Sequence, residues 1–133
     1  MSGPTIEYHE IEHVQLTMPH GGDDRARAFY GDVLALREIP KPAALRGNGG
    51  LWFVAGSIEV HLLAEEPRHP SHAAHPGFRV TGLSALAERC QKAGYPPQFD
   101  TRYPGRRRFY VADPFGNRIE LFQIDTDAPT APR

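Results

Sequence analysis

Apolar and polar residues alternate along several short segments of the chain, which is the pattern of β-strands that each bury one face. In HVQLTM, for example, Val14, Leu16 and Met18 alternate with polar neighbours. The segments 51–56 and 57–63 read as two strands joined by a turn near Ala55 and Gly56. The predicted strands with clear alternation are HVQLTM, LWFVAG, SIEVHLL, HPGFRV, RRFYVAD and RIELFQI.

Two other segments show the wider apolar spacing of amphipathic helices. In the first, residues 24–36, the stripe consists of Ala26, Phe29, Tyr30, Val33 and Leu34. Asp23 or Asp24 is the predicted N-cap of this helix, because a short acidic side chain accepts hydrogen bonds from the first backbone amides. In the second, residues 81–94, Gly94 is the predicted stop, and the stripe consists of Leu83, Leu86, Ala87 and Cys90.

The order of elements is strand, helix and several strands, and it occurs twice. We therefore predict one domain, residues 1–133, with one repeat unit at about 8–64, a second at about 75–124, and a tail at 125–133. The residues 37–50 contribute a short edge strand at most, and 65–74 read as a connecting loop. GSIEV in the first unit matches NRIEL in the second, and each unit opens with a histidine. This repeat predicts that Glu59 corresponds to Glu120 and His13 to His75.

The alternation also assigns each strand residue to one of two faces. The apolar face should pack against the helices, and the opposite face is rich in histidine, carboxylate and arginine. One interpretation is a polar face exposed to water; the other, which we favour because the face lacks lysine, is a concave ligand cavity. This polar face consists of His13, Gln15, Thr17, Glu59, His61, His75, Gly77, Arg79, Arg108, Tyr110, Arg118, Glu120 and Phe122.

The composition narrows the classes of function. The 133 residues carry a net charge of −1, which gives no reason to expect nucleic acid or an anionic membrane as a partner. The longest apolar runs are too short to cross a bilayer, and the first residues have no secretory pattern. Cys90 is the single cysteine, so no internal disulfide forms and the expected location is the cytoplasm. The seven histidines make a metal site worth seeking.

Several of these segments are similar to the vicinal-oxygen-chelate superfamily, which contains glyoxalase I, fosfomycin and bleomycin resistance proteins, methylmalonyl-CoA epimerase and extradiol dioxygenases. The matching pieces run from about residue 11 to 122, and DPFGNRIEL is the most specific of them. They are HVQLTM, ARAFYGDVLAL, IEVHLL, HPGFRV and FYVADPFGNRIEL. The resemblance implies an α+β fold in which two βαβββ units form an incomplete, curved eight-stranded barrel with the helices outside. It also implies a homodimer.

The resemblance places metal ligands on the first and last strands of each unit, which here are His13, Glu59 or His61, His75, and Glu120. Imidazole and carboxylate ligands suit zinc, nickel, manganese, cobalt or iron(II). His13, His75 and Glu120 alone would make a two-histidine, one-carboxylate set that leaves positions open for substrate. As isolated residues, His13 and His75 could instead be ordinary polar side chains at strand ends. The pattern leaves open whether Glu59 or His61 is the ligand and which of them moves a proton.

Three more residues of the polar face are candidates for substrate contacts. Tyr110 lies where extradiol dioxygenases have a tyrosine that hydrogen-bonds the substrate. Arg108 could hold a carboxylate or phosphate by a bidentate contact, and Arg118 is a further candidate. With Glu59, His61 and Tyr110 as catalytic residues, the resemblance implies a metal-dependent enzyme acting on a small substrate with vicinal oxygens. Glyoxalase-type lyase or isomerase chemistry and iron(II) dioxygenation both remain open, and a metal-free binding protein of the bleomycin-resistance type is the alternative.

Overall fold

A computed structural model describes residues 5–66 and 73–126 of the protein. Two four-stranded sheets, each with its own helical segment, make up the described part. The predicted α+β class with two βαβββ units is therefore confirmed. Most of the predicted connecting loop, residues 67–72, and the end of the predicted tail, residues 127–133, lie outside the described ranges. In the described ranges no helix has both the length and the apolar character needed to cross a membrane.

The first sheet has the strand order β1-β4-β3-β2. Its outer strand β1 runs parallel to β4, and the other neighbours are antiparallel. The predicted turn near Ala55 and Gly56 joins β3 to β4. The strands are β1 (His13–Met18), β2 (Arg37–Ile39), β3 (Leu51–Ala55) and β4 (Ile58–Ala64), with a 3₁₀ helix at Ala43–Asn48 between β2 and β3.

The second sheet repeats this topology with the order β5-β8-β7-β6. Strand β5 runs parallel to β8, and the β6–β7 and β7–β8 pairs are antiparallel. The strands are β5 (Gly77–Arg79), β6 (Gln98–Phe99), β7 (Arg106–Ala112) and β8 (Arg118–Ile124), and helix α2 (Leu83–Lys92) lies between β5 and β6. Gly94, with a φ of +92°, follows the end of α2, as predicted.

The first helical segment differs from the expected regular helix. Helix α1 spans only Asp23–Ala26 and continues as a π-helical segment, Arg27–Val33. The prediction of Asp23 or Asp24 as the N-cap is wrong, because Gly22 occupies that position and no side chain caps the amides. Both aspartates lie in the first turn instead, where negative charge is still favourable at a helix N-terminus.

One apolar core joins both units. Most residues of the predicted apolar strand face and of both helical stripes enter it, and others, including Leu16, Phe78 and Leu86, pack against it as partly buried side chains. Burial of this apolar surface is the main driving force for folding. The largest fully buried side chains are Tyr30, Phe29, Phe53, Phe109, Met18, Leu62, Leu83, Ile119, Val60 and Cys90.

A buried polar network fixes the β7–β8 turn against the first unit. The Tyr30 hydroxyl donates to Asp113 Oδ2 at 2.7 Å, and Asp113 Oδ1 accepts the backbone amides of Phe115 and Asn117. The Asn117 amide group in turn donates to the Thr17 carbonyl at 2.9 Å. We call Tyr30, Asp113 and Asn117 the seam. The DPFGN motif thus organises its own turn and also joins the two units.

Gly50 shows why a glycine must precede β3. Its φ is +93°, and a Cβ there would lie 2.0 Å from the Leu62 carbonyl oxygen. Any side chain would therefore collide with the backbone of β4, in addition to the strain of the left-handed conformation. This close approach fixes β3 against the strand that carries His61.

Candidate functional site

The polar face of the first sheet is arranged around His61. His61 is only 5% exposed although it is an imidazole, and its Nε2 lies 2.9 Å from Glu59 Oε1. The Glu59 side chain is 29% exposed. A buried polar group needs such a partner, and one ring nitrogen of His61 is thereby engaged by a carboxylate.

Two other rings hold the His61 imidazole in place. The Trp52 ring stacks on it at 3.9 Å between centroids and 3° between planes. On the other side the His13 ring stacks at 4.2 Å and 12°. Trp52 is directly opposite His61 in the β3–β4 ladder, and His13 is opposite Glu59 in the β1–β4 ladder. We call Trp52, His61, His13 and Glu59 the ring-clamped half.

The second sheet carries a smaller histidine–glutamate pair. His75 Nε2 lies 3.0 Å from Glu120 Oε1, and His75 Nδ1 lies 2.8 Å from the Ala73 carbonyl oxygen. A carbonyl only accepts, so Nδ1 carries the proton and donates it. In neutral His75 the lone pair of Nε2 would then face a carboxylate oxygen, which is repulsive. A proton or a metal cation between the two atoms removes that repulsion.

Charged side chains lie against the Glu120 carboxylate of this second pair. Glu120 is 7% exposed, and its Oε2 lies 3.5 Å from Arg108 Nη1. Arg108 also reaches Asp100 Oδ2 at 3.3 Å. Asp100 is held more closely by Arg102 at 2.7 Å, and this hydrogen bond keeps the pKa of Asp100 well below its usual value. We call His75, Glu120, Arg108 and Asp100 the ionic half.

The ladder registers correct the predicted correspondence between the two halves. The residue two places after His13, Gln15, is opposite His61, whereas the residue two places after His75, Gly77, is opposite Glu120. The match of His13 with His75 therefore pairs Glu120 with His61. The sequence match of SIEV with NRIEL pairs Glu120 with Glu59 instead. That match is two residues out of register with the strand ladders.

The burial of the strands supports the same correction. In β4 the three consecutive buried residues are centred on His61, and in β8 they are centred on Glu120. Glu59 lies one alternation earlier, towards the exposed end of its strand. His75 also differs from the prediction, because β5 begins two residues later, at Gly77. His75 nevertheless reaches Glu120 from the segment that precedes the strand.

The remaining predicted residues lie on the face that parity assigned to them. Tyr110 is opposite Glu120 in the β7–β8 ladder, just as Trp52 is opposite His61. The Arg118 guanidinium lies 3.9 Å from the centroid of the Tyr110 ring, and the His75 ring meets it edge-on at 5.2 Å. Sequence reasoning missed Trp52 and Asp100. The alternation of β3 would have placed Trp52 on this face, whereas Asp100 lies beyond the short β6.

Both halves contain side chains that could ligate a metal ion, but within one chain the two sets of side chains do not come together. One nitrogen of His13 and one of His61 face carboxylates, and one of His75 faces a carbonyl, as is common for histidines that ligate metals. Among the described residues, no group of three or more His, Cys, Asp or Glu side chains could hold a metal ion. A cleft of about 380 Å³ separates β1 from the segment around His75. The structure thus presents two incomplete sites.

The comparison with protein families identifies the group to which this architecture belongs. Residues 10–121 match the model of the Glyoxalase/Bleomycin resistance protein/Dioxygenase superfamily. The chain belongs to this superfamily. This confirms the resemblance. A search of curated proteins found no significant match.

Solved structures of the superfamily share the fold. A protein from Bacillus anthracis assigned to the glyoxalase family is 40% identical, with a TM-score of 0.86 over 91% of this chain and 99% of that chain. Lactoylglutathione lyase from Agrobacterium tumefaciens is 22% identical, with a TM-score of 0.65 over 86% and 92%. The fosfomycin resistance protein FosX from Mesorhizobium loti is 19% identical, with a TM-score of 0.66 over 88% and 93%. At these last two identities the likeness concerns the fold alone.

Proposed function

We propose that the protein is a metal-dependent enzyme that acts on a small substrate with two adjacent oxygen atoms, by lyase or isomerase chemistry. The observation that carries this proposal is the His75–Glu120 contact, in which Nε2 and a carboxylate oxygen face each other at 3.0 Å while Nδ1 is engaged by a carbonyl. A divalent cation satisfies both atoms. The proposed ligands are His13 and His61 from the ring-clamped half and His75 and Glu120 from the ionic half.

The surrounding residues are suited to proton transfer. A bound divalent metal would polarise a substrate carbonyl and stabilise an enediolate. Glu59 is the residue that we expect to move the proton, because its carboxylate is 29% exposed whereas that of Glu120 is 9% exposed and engaged on both oxygens. His61 orients Glu59 through the 2.9 Å contact. Tyr110 lies opposite Glu120, and we expect it to hydrogen-bond a substrate oxygen.

A homodimer would complete the site. Among the described residues each chain offers two incomplete halves, and β1 and β5 are outer strands of their sheets, each with one edge that no described strand pairs. In a two-fold dimer the ring-clamped half of one copy meets the ionic half of the other, and this happens twice by symmetry. We therefore propose that each metal is shared between two subunits.

Mixed dimers test the metal and its sharing together. One variant, H13A/H61A, loses the first half, and another, H75A/E120A, loses the second. Each alone should bind no zinc or nickel at the site. After the two are unfolded together and refolded, about one quarter of the wild-type metal content should return, since half of randomly assembled dimers are mixed and each holds one intact site. Elemental analysis after gel filtration measures the content.

Other outcomes would contradict parts of the proposal. Metal content that stays at zero in the mixture, although wild-type protein binds metal, would place the whole site within one chain. A wild-type protein that binds no divalent metal, and gains no thermal stability from zinc, nickel, manganese or iron(II), would reject metal dependence, because a ligand of the native state must stabilise it. The metal-free binding protein would then be the better description.

A further inference from the structure

Arginines on β7 and β8 give the polar face of the second sheet a local positive charge that the proposed reaction does not use. Arg106 and Arg108 lie on the same face as Tyr110, whereas Arg107 points to the other face and contacts Ser84 of α2. Arg118 joins them from β8. The chain as a whole has a net charge of −1, so three guanidinium groups on one sheet face are a local concentration of positive charge.

Aromatic rings hold these guanidinium groups in fixed positions. Arg106 lies 3.9 Å from the Tyr103 ring centroid and 4.3 Å from that of Phe122. Arg108 lies between Tyr103 and Tyr110, at 5.5 and 5.4 Å. Cations at these distances from ring faces are stabilised and lose mobility. A ligand would therefore meet guanidinium groups whose positions are already set.

Arg108 is incompletely paired although it is nearly buried. Its side chain is 15% exposed, and its buried Nε has no hydrogen-bond partner among the described residues. Its contacts to Asp100 and Glu120, at 3.3 and 3.5 Å, are longer than the 2.7–2.9 Å usual for charge-assisted hydrogen bonds. Asp100 is engaged mainly by Arg102. A buried donor left without a partner is costly, so Arg108 has capacity for another anion.

The geometry points to an oxyanion group on the substrate, a carboxylate, phosphonate or phosphate, that Arg108 binds with Arg106 at its side. This inference rests on the proposed function in one respect. If Glu120 binds a metal ion, its carboxylate no longer pairs with Arg108. Arg108 then has a higher affinity for the substrate anion. Arg108 thereby couples occupation of the metal site to recognition of an anionic substrate.

The coupling can be tested without any metal. In protein treated with a chelator, E120Q removes the charge of Glu120 and should release Arg108. Calorimetric titration with inorganic phosphate should then show binding about tenfold tighter than to the wild type, the size expected for one charged hydrogen bond. The double variant E120Q/R108Q should lose this gain. E120Q/R107Q, which removes an equal charge from the opposite face of the same strand, should keep it.

Further variants separate the alternatives. E120Q/R108K keeps the charge but loses the planar fork, and should lose most of the gain while remaining folded. Acetate in place of phosphate distinguishes a site for planar carboxylates from one for tetrahedral anions. An equal loss in the R107Q and R108Q backgrounds, or no phosphate binding to E120Q, would overturn the inference. Because no metal is present, that result would leave the proposed metal-dependent function standing.

Discussion

The two halves of the candidate site hold a buried polar side chain in place by different physical means. Both place a histidine against a glutamate on the polar face of a four-stranded sheet. In the ring-clamped half the buried group is an imidazole between two parallel rings, and in the ionic half it is a carboxylate between a histidine and an arginine. The equivalent positions of the two units, 61 and 120, therefore carry a basic imidazole in one and an acidic carboxyl group in the other.

This difference suggests a division of labour. Two stacked rings restrict the orientation of the His61 imidazole. In the proposed metal site Glu120 would supply negative charge to balance the metal ion, and Arg108 Nη1 lies 3.5 Å from its Oε2. A repeated unit can thus present an imidazole in one sheet and a carboxylate in the other from the same strand position. The comparison fails if Glu59, rather than His61, is the counterpart of Glu120.

The largest expected effect is on metal affinity, and it tests whether His61 or Glu59 is the ligand that β4 provides. His61→Ala removes a proposed ligand and should weaken metal binding by more than about 100-fold, whereas Glu59→Gln removes only a hydrogen-bond partner of that ligand and should weaken it by about tenfold. Competition with a chromophoric chelator measures both affinities. Glu120→Gln is the matched variant in the other half and should resemble His61→Ala. The reverse order of His61 and Glu59 would show that Glu59, and not His61, is the metal ligand of β4.

Simple periodicity predicted the order of the elements and the faces of the strands, whereas the paired βαβββ fold was predicted from the resemblance to the superfamily. Alternation along six segments assigned the polar-face residues that lie on strands, whereas His75 precedes β5, and the helical stripes entered the core as expected. The register between strands was not predictable in this way. It depends on the backbone pairing of β1 with β4 and of β5 with β8, and SIEV and RIEL look alike although their glutamates occupy different ladder positions.

Other misses have equally local causes. The N-cap of the first helix is Gly22 and not an aspartate. That helix continues as a π-helical segment, in which the Leu34 amide donates to the Phe29 carbonyl. Neither feature disturbs the apolar spacing, so the spacing could not reveal it. The placement of two half-sites, rather than one complete set of ligands, depends on how whole units pack. No pattern within a single strand reports that packing.

A smaller effect is expected at the seam, which holds the two halves in one chain. Tyr30→Phe removes the hydroxyl that donates to Asp113 and leaves a buried carboxylate oxygen with one partner fewer. The free energy of unfolding should fall by about 1–3 kcal/mol. Urea unfolding monitored by circular dichroism measures it. Tyr95→Phe is the control and should change little, because the Tyr95 ring packs edge-on against Phe29, as the Tyr30 ring does.

The seam also predicts a dependence on alkaline pH. Burial and the nearby Asp113 raise the pKa of Tyr30 well above the ordinary value of 10.0. The unfolded chain therefore ionises this hydroxyl first, so the stabilisation is complete below pH 10 and falls as the pH rises above it. Wild-type protein should lose more stability than Tyr30→Phe between pH 9 and about pH 11. Parallel curves for the two proteins would show that Tyr30 is not responsible.

The smallest expected effect concerns the ring clamp. Trp52→Leu keeps an apolar side chain opposite His61 but removes one of the two stacked rings, so the imidazole gains rotational freedom and metal binding should weaken by up to about tenfold. Trp52→Phe restores a ring and should recover most of the affinity. Trp52 is the single tryptophan, so in wild-type protein its fluorescence should be quenched by nickel or cobalt bound at His61. Quenching that persists in His61→Ala would mean that the metal binds elsewhere. Equal affinities for Trp52→Leu and Trp52→Phe would show that the stack packs the sheet face without orienting the ligand, and the contrast between the halves would then rest on charge alone.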